Sequence, residues 1–336
     1  MQIRNYLEKY QPVIYHTFKN ALNNDSLSHA YLFVGEVGTN LFATTKFIAK
    51  SIICGDGDPF ACESCIDCMR VDDDNYPDLI IYNGEKTTIK KEDVSSLENR
   101  FEKTALDDKG IKIYIIHLVE NMTIEAINSV LKFLEEPEKN IYALLTTNNE
   151  NAVLPTIISR CQVMHLKPIK REIIIQEAIN EEISNEDAEL LSYFYNDISL
   201  IKEELKKENI KDYLLAKEAL LKFLNALEKD DKEALFIEEK EIQPIIKNKE
   251  SMRFFIDMLI NFFEQILLKQ NNREIILKSY EEIITSLSKK LDKVDNSLIE
   301  LMKGRNLLNL NINSALLLDH LTLTIIKKEN KYDSEY

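Results

Sequence analysis

The chain has 336 residues, of which 45% are hydrophobic and 29% charged, so it is long enough for two or three domains with sizeable cores. Its formal charge of −15 excludes a basic nucleic-acid-binding module, because neutralising phosphates requires clustered Lys and Arg. Charged residues interrupt the apolar stretches well before the roughly 20 residues that a membrane span needs, and the first residues lack the apolar core of a signal peptide. These features predict a cytoplasmic protein that contacts no membrane and binds other proteins.

Up to Pro168 the chain alternates short apolar segments with helical ones. Apolar runs bounded by polar residues occupy positions 30–34, 79–82, 111–116 and 141–147. Runs of this length that are apolar on both faces are typical of buried parallel strands, with helices covering both sides of the sheet. The pattern predicts an α/β domain with a parallel sheet over residues 1–168.

The strand pattern stops at Pro168. Residues 169–205 predict a small domain of short amphipathic helices, in which Ser184 is placed as an N-cap. Residues 206–328 carry Leu, Ile and Phe at three- and four-residue spacing, which predicts a bundle of longer helices. The clearest lie at 211–228, 251–270, 273–291 and 312–328, separated by loops at Pro244, Asn271–Asn272 and Gly304, before a polar tail at 329–336.

Four of the five cysteines lie within residues 54–68, with the spacing C-x7-C-x2-C-x2-C: Cys54, Cys62, Cys65 and Cys68. Tetrahedral zinc takes four such ligands at about 2.3 Å, and two C-x2-C steps can direct their thiolates toward one point. Disulfides would require an oxidising compartment, which nothing in the chain indicates, and chance clustering of four cysteines in so short a stretch is improbable. We predict a structural zinc module with no catalytic role, because a four-thiolate site has no open position.

The segment after residues 30–34 has the context of a phosphate-binding loop, which is a strand, a glycine-containing turn and a helix. On the pattern G-x-x-G-x-G-K-[ST], Gly35 and Gly38 match. Asn40 replaces the third glycine, Leu41 the lysine that neutralises phosphates, and Phe42 the hydroxyl that binds magnesium. On this loop alone, a degenerate nucleotide site and an ordinary strand–helix turn are equally good interpretations.

The end of the strand at 111–116 favours the degenerate site. An acidic pair should follow there to hold magnesium, and His117 and Leu118 stand in its place. A lone histidine at a strand end is more often structural than a ligand or a base. We therefore predict that the chain does not bind or hydrolyse ATP in the usual way.

Several motifs resemble the clamp-loader subunits of bacterial DNA polymerase III, a family of AAA+-type proteins. Residues 122–137 end in Glu135-Glu136-Pro137 and are similar to the family's N-x-L-L-K-x-L-E-E-P segment, and residues 154–161 are similar to its L-P-x-T-I-x-S-R-C motif. Thr146-Thr147-Asn148-Asn149 resembles the first sensor strand of AAA+ proteins. Other segments that resemble the family are 29–33, 76–78, the four-cysteine insertion and 310–313. The resemblance covers almost the whole chain.

The defective loop makes the chain similar to the delta-prime branch of this family, since the gamma/tau branch keeps an intact phosphate loop. The resemblance implies an AAA+-type domain, a lid at 169–205 and an oligomerising collar at 206–328. It also implies assembly with gamma/tau and delta subunits into a ring that loads the sliding clamp on primer–template DNA. Neither ATPase nor polymerase activity is expected of the isolated chain, although it would be part of a polymerase holoenzyme.

The resemblance also implies a chemical role for Arg160. In the family the arginine of S-R-C stabilises phosphate charge at a neighbouring subunit's ATP site, acting in trans as an arginine finger, while Ser159 and Cys161 support the turn. A guanidinium suits this role because its planar fork meets phosphate oxygens bidentately and keeps its charge. Without the motif, an arginine that caps a loop or pairs with an acid would be the commoner case. Residues 196–200 stand where ATPase relatives carry a second, phosphate-sensing arginine, which is missing here.

Three other functions remain open at this point. The chain could be an active gamma/tau-like ATPase, a zinc-dependent DNA-binding module on an AAA+ scaffold, or an adaptor outside replication. ATP binding by the isolated chain would indicate the first, strong salt-dependent DNA affinity would indicate the second, and the partners would identify the third.

Overall fold

The computed structural model describes residues 3–85, 87–94, 107, 109–136, 138–206, 210–308 and 313–326. These residues form two compact units, the first made of residues 1–170 with 195–197 and the second of 171–194 with 198–336. Within the second unit, the boundary between lid and collar at residue 205 stays a prediction. Pro137, residues 310–312 and the polar tail at 329–336 lie outside the described residues.

The first unit is built on a five-stranded sheet in which every pair of neighbouring strands is parallel. The spatial order is β2-β3-β4-β1-β5, and the strands are β1 Ala30–Val34, β2 Leu79–Asn83, β3 Lys112–His117, β4 Ile141–Thr147 and β5 Gln162–His165. The four predicted strands are confirmed. Strand β5 was not predicted, because this four-residue edge strand is polar and buries only Met164.

Helices cover both faces of the sheet. Those of the first unit are α1 Ile3–Tyr10, α2 Pro12–Asn23, α3 Leu41–Ile53, α4 Ile66–Asp72, α5 Ile124–Glu135 and the single turn α6 Pro155–Ile158. Successive strand residues point to opposite faces. Leu32 of β1 therefore shares one core with Val130 of α5, while the ring of Tyr31 packs at 4.7 Å from that of Phe18 in α2.

The carboxyl ends of β1, β3 and β4 meet at one edge of the sheet. Val34 is in register with Thr147, and Gly35 N donates to the Thr147 carbonyl at 3.2 Å. At the neighbouring strand end, the His117 ring lies 2.7 Å from the Thr146 hydroxyl. Parallel pairing therefore brings the glycine loop, His117 and the predicted sensor strand together, although they are far apart in sequence.

The second unit is helical throughout its described part. Its helices are α7 Arg171–Asn180, α8 Asn185–Leu191, α9 Ile198–Lys206, α10 Ile210–Lys229, α11 Asp231–Ile237, α12 Lys249–Gln270, α13 Glu281–Lys290, α14 Val294–Leu307 and α15 Ser314–Ile326. Helix α12 packs against α10, α13 and α14, and α14 packs against α15. The N-cap predicted at Ser184 is confirmed, since its hydroxyl accepts from Asp187 N at 3.1 Å.

Two local predictions in the second unit are wrong. The helix predicted over 273–291 begins only at Glu281, because buried side chains satisfy the backbone of the preceding segment: Gln265 accepts from Ile276 N at 2.6 Å and Glu189 from Ser279 N at 2.9 Å. Gly304 lies inside α14 rather than in a loop. An added Cβ there would come within 2.8 Å of Leu321, so the glycine permits a close approach of α14 and α15.

Among the described helices, none combines the length and the apolar character needed to cross a membrane.

Candidate functional site

The four predicted metal ligands converge. The Sγ atoms of Cys54, Cys62, Cys65 and Cys68 all lie within 4.8 Å of one another. The Sγ–Sγ distances are 3.6 Å for Cys54–Cys62, 3.8 Å for Cys54–Cys65 and 3.9 Å for Cys62–Cys68. Four sulfurs placed tetrahedrally at about 2.3 Å from one ion would be separated by about 3.8 Å. The sulfur set therefore fits a four-thiolate metal ion.

Helix ends position two of these ligands. Cys54 is the C-cap of α3, and Cys65 is the N-cap of α4, where its sulfur accepts from Cys68 N at 3.5 Å. Backbone N–H groups also point at the other sulfurs, from Cys62 to Cys54 at 3.4 Å and from Cys65 to Cys62 at 3.3 Å. These donors favour the thiolate forms that metal ions bind.

Burial and hydrogen bonding shift the pKa values of two of the four thiols in opposite directions. Backbone N–H donors from Ser64 and Cys65 lower the pKa of Cys62 to about 6. Burial, together with the neighbouring sulfurs, raises the pKa of Cys68 far above its ordinary value. A bound divalent cation would reverse the second effect, because it favours the deprotonated thiol.

An aromatic residue attaches the cysteine loop to the body of the first unit. Phe60 is fully buried and its ring lies 5.0 Å from Tyr15 of α2 and 5.7 Å from Phe47 of α3. Beside it, Ala61 N donates to the buried Ser51 hydroxyl at 3.0 Å. The loop is therefore held by a small apolar core as well as by its cysteines.

The glycine loop at the end of β1 is filled by its own side chains. Leu41, at the position of the phosphate-binding lysine, is 2% exposed. A Cβ on Gly35 would lie 3.3 Å from a Leu41 methyl, so the leucine lies against the base of the loop. Gly38 takes a φ of +88°, a conformation that glycine adopts without strain. The turn therefore joins β1 to α3 with a buried leucine at the position that the phosphate-loop pattern assigns to lysine.

The two residues at the predicted magnesium position contact each other. The ring of Phe42 lies 5.1 Å from that of His117. Burial lowers the pKa of His117 to about 4, so the imidazole is neutral at physiological pH. Thr146 Oγ1 accepts from Leu118 N at 2.9 Å and lies 2.7 Å from Nδ1 of the ring. A neutral aromatic pair therefore stands at the positions where the sequence pattern predicts magnesium ligands in an ATPase.

Asn196 adds a further contact to this loop. Its backbone N–H donates to the Gly38 carbonyl at 2.9 Å, and its side-chain amide donates to the Val37 carbonyl at 3.3 Å. Asn196 and the glycine loop belong to the same compact unit, which is the first one. Asn196 thus hydrogen-bonds the glycine loop with both its backbone and its side chain.

Arg160 lies on the turn after α6, with its side chain 32% exposed. Its Nη1 donates to the Thr156 carbonyl at 2.9 Å, and its Nη2 to Glu135 Oε1 at 2.7 Å. Glu135 is the last residue of α5. Ser159 lies beside the guanidinium, with 3.4 Å between Nη1 and its hydroxyl. Burial raises the pKa of Cys161 to about 12, so this thiol stays protonated and packs as a core residue.

A sequence profile of the family described as "DNA polymerase III, delta subunit" matches residues 10–170. The DNA polymerase III subunit delta' of Bacillus subtilis (strain 168) is 31% identical over 324 residues, which cover 95% of this chain and 97% of that protein. The chain belongs to the delta-prime family of bacterial DNA polymerase III.

Gamma and tau relatives match a smaller part of this chain in sequence. The DNA polymerase III subunit gamma of Buchnera aphidicola subsp. Baizongia pistaciae (strain Bp) is 34% identical over 49% of this chain and 44% of its own length. A solved gamma subunit-related protein of Thermotoga maritima covers 91% of this chain and 96% of that chain, at 17% identity and a TM-score of 0.46. Sequence similarity over the full length is with the delta-prime relative, whereas the gamma relative matches about half of this chain.

Three contacts at these sites were not predicted from the sequence. Glu135 pairs with Arg160, Asn196 binds the glycine loop, and Lys109 contacts the cysteine module. Each contact joins residues more than 20 positions apart, and none follows a spacing rule.

Proposed function

We propose that this delta-prime family member is a subunit of the replicative clamp loader without ATPase activity of its own. It assembles with gamma/tau and delta subunits, loads the sliding clamp on primer–template DNA through the assembled complex, and supplies Arg160 to a neighbour's ATP site. One observation carries the proposal. The chain's own phosphate and magnesium positions are filled by Leu41, Phe42 and His117, while Arg160 remains on an accessible turn.

The contacts of Arg160 suit a residue that must change partner. Its acid partner, Glu135, is 49% exposed, and a pair of this kind contributes only about 0–1 kcal/mol. A phosphate group carries more charge and accepts two parallel N–H bonds from a guanidinium. Nη2 can therefore exchange Glu135 for a phosphate oxygen while Nη1 keeps the Thr156 carbonyl.

The test is reconstitution with the motor and delta subunits. We expect Arg160→Ala to leave assembly intact and to lower ATP turnover at the one neighbouring site by about 10³-fold, the lower end for arginine fingers. The total ATPase rate of the complex in the presence of clamp and DNA then falls by at least the fraction that this one site contributes. Arg160→Lys should be nearly as defective, because an ammonium lacks the planar fork.

Arg70→Ala is the matched control, since it removes another partly exposed arginine of the same unit. It should leave stimulated ATPase unchanged. Normal ATPase in an assembled Arg160→Ala complex would refute the role of Arg160, whereas ATP binding by the isolated wild-type chain would favour a gamma/tau-like ATPase instead.

We also propose that the metal of the cysteine cluster is zinc. Four cysteine sulfurs at tetrahedral spacing, held at helix ends, support a closed structural site rather than a catalytic one. Elemental analysis of the purified chain should give about one zinc per chain. Iron or copper in that position, or no metal, would contradict the assignment.

The division of the second unit is likewise a proposal, with a lid at 169–205 and an oligomerising collar at 206–328. A role in replication places the protein in the cytoplasm. An adaptor outside replication would be indicated by co-purification from cells without any other polymerase III subunit.

A further inference from the structure

Lys109 lies against the cysteine module, although it stands more than 40 positions further along the chain. Its Nζ donates to the Ile53 carbonyl at 2.7 Å and to Asp67 Oδ2 at 2.5 Å. Next to it, Gly110 N donates to the Asp107 carbonyl at 3.1 Å, and Gly110 has a φ of +66°. Lys109 therefore lies three residues before β3, beside a backbone hydrogen bond.

Both contacts of Lys109 are with ends of ligand-bearing helices. Ile53 is the last residue of α3 and precedes Cys54, and its carbonyl lies at the negative end of the helix dipole. Asp67 is in the first turn of α4, between Cys65 and Cys68. One ammonium group thus joins the two helix ends that hold Cys54 and Cys65.

The charge of Lys109 also suits this position. A divalent cation with four thiolates carries two net negative charges, which a nearby cation stabilises. A Cβ on Gly55, next to Cys54, would lie 3.5 Å from Lys109 Nζ. The Asp67 carboxylate raises the pKa of Lys109 against the opposing effect of burial, so the ammonium keeps its charge.

Another lysine makes similar bonds without touching the ligand-bearing ends. Lys46 of α3 donates to the Asp72 carbonyl at 2.8 Å and to Asp74 at 2.7 Å, beyond the opposite end of α4. It also ties α4 to the rest of the unit. Lys46 is therefore a matched control for any effect of merely loosening that helix.

We propose that Lys109 is a positioning residue of the metal centre. It holds Cys54 and Cys65 at metal-binding distance and offsets part of the thiolate charge, and so slows release of the metal. This inference rests on the proposal that the four cysteines bind zinc.

The experiment loads the full-length wild type and the variants Lys109→Gln, Lys109→Arg and Lys46→Gln with zinc. The rate of zinc transfer to a chromophoric chelator is then measured at neutral pH. We expect Lys109→Gln to release zinc about tenfold faster. This is the lower end of the range of effects seen when a residue that supports the metal ligands is removed. Lys109→Arg should stay near the wild-type rate, and Lys46→Gln should match the wild type.

Cobalt substitution supplies a second measurement, because thiolate-bound tetrahedral Co²⁺ has ligand-field and charge-transfer bands that report the sulfur geometry. These bands should weaken in Lys109→Gln and persist in Lys46→Gln. Asp67→Asn removes the same ion pair from the other side and replaces Lys109→Gln if that variant does not fold.

The outcomes separate the two proposals. Equal release rates for wild type and Lys109→Gln, or equal acceleration in Lys109→Gln and Lys46→Gln, would overturn the role of Lys109 while leaving the zinc site intact. A wild-type chain that binds neither zinc nor cobalt would overturn the metal assignment itself.

Discussion

Phe42 and His117 stand at two positions where the sequence pattern predicts magnesium ligands in an ATPase, and in the folded chain their ring centroids are 5.1 Å apart. Each residue supports the other: the phenyl ring covers one side of the imidazole, and burial keeps the imidazole neutral with a pKa of about 4. A single substitution at Phe42 or His117 toward the ATPase pattern would leave the other ring in this position. Restoring the nucleotide-site pattern would therefore require changes at both residues.

Glu238 is a buried acid of the second unit whose environment raises its pKa. It lies in a π-helical turn at Glu238–Ile242 and is 1% exposed. Gln243 Nε2 donates to Glu238 and to Asp319 of α15, both at 2.8 Å. Burial first, and then the charge of Asp319, raise the pKa of Glu238 to about 7.

This raised pKa predicts a pH-dependent stability of the second unit. The folded-state pKa of about 7 lies above the unfolded value of about 4.3, so the folded chain binds the extra proton. The stabilisation is fully present below about pH 4 and is lost as the pH rises through 7. Glu238→Gln should remove this loss, gaining about 2 kcal/mol in free energy of unfolding at pH 8 relative to its effect at pH 5. Urea titrations at the two pH values measure it.

Glu239→Gln is the control for this prediction, because Glu239 is the adjacent acid and its side chain is 60% exposed. Its effect on the free energy of unfolding should be small at both pH values. A Glu238→Gln chain with the same pH dependence as the wild type would show that Glu238 is ionised normally in the fold.

The cysteine module is the element whose structure depends most on a bound metal. Between Cys54 and Cys65 its chain has no helix or strand, and α4 that follows has only seven residues. Isolated helices this short are not stable in water. Phe60 and Ala61 contact the larger core, and Lys50 Nζ lies 3.3 Å from Glu63 Oε1. A bound metal would therefore contribute a large share of this module's local stability.

Removing the metal should consequently open the module and leave the sheet closed. With a chelator present, we expect amide hydrogens of residues 54–72 to exchange at least tenfold faster, while those of β1, β3 and β4 stay protected. Hydrogen exchange followed by mass spectrometry measures both regions in one experiment. Faster exchange spread over the whole first unit would mean that the metal supports global folding instead.

At the scale of the whole molecule, charge limits what the chain can bind alone. The net charge is −15 and the isoelectric point about 5.0. DNA binding gains most of its free energy from neutralised phosphates, which an acidic protein supplies only at local basic patches. A family member with this charge would reach DNA mainly through its partners.

We therefore expect the isolated chain to bind primed DNA more weakly than about 10⁻⁴ M at physiological salt, the weak limit of non-specific binding. Fluorescence anisotropy with a labelled primer–template provides the measurement, and the reconstituted complex provides the positive control. Tight, strongly salt-dependent binding by the chain alone would favour the zinc-dependent DNA-binding function.

Much of the fold could be predicted from the sequence because its signals are local. Strands β1 to β4 are apolar on both faces, and Ser184 carries a capping side chain. Strand β5 escaped prediction because an edge strand needs few apolar residues. The start of α13 escaped it because Glu189 and Gln265, distant in sequence, hydrogen-bond the segment before the helix.

The sequence by itself determined which groups this protein has for its chemistry: four cysteines at metal-ligand spacing, a loop without its lysine, and an arginine in a family motif. Only the tertiary structure decided which residues these groups contact. Lys109 joins the ends of α3 and α4, the ring of Phe42 contacts that of His117, and Arg160 pairs with Glu135. The physical reason is that ligand spacing and apolar periodicity act within one segment, whereas an ion pair or a ring contact depends on two segments that only folding brings together.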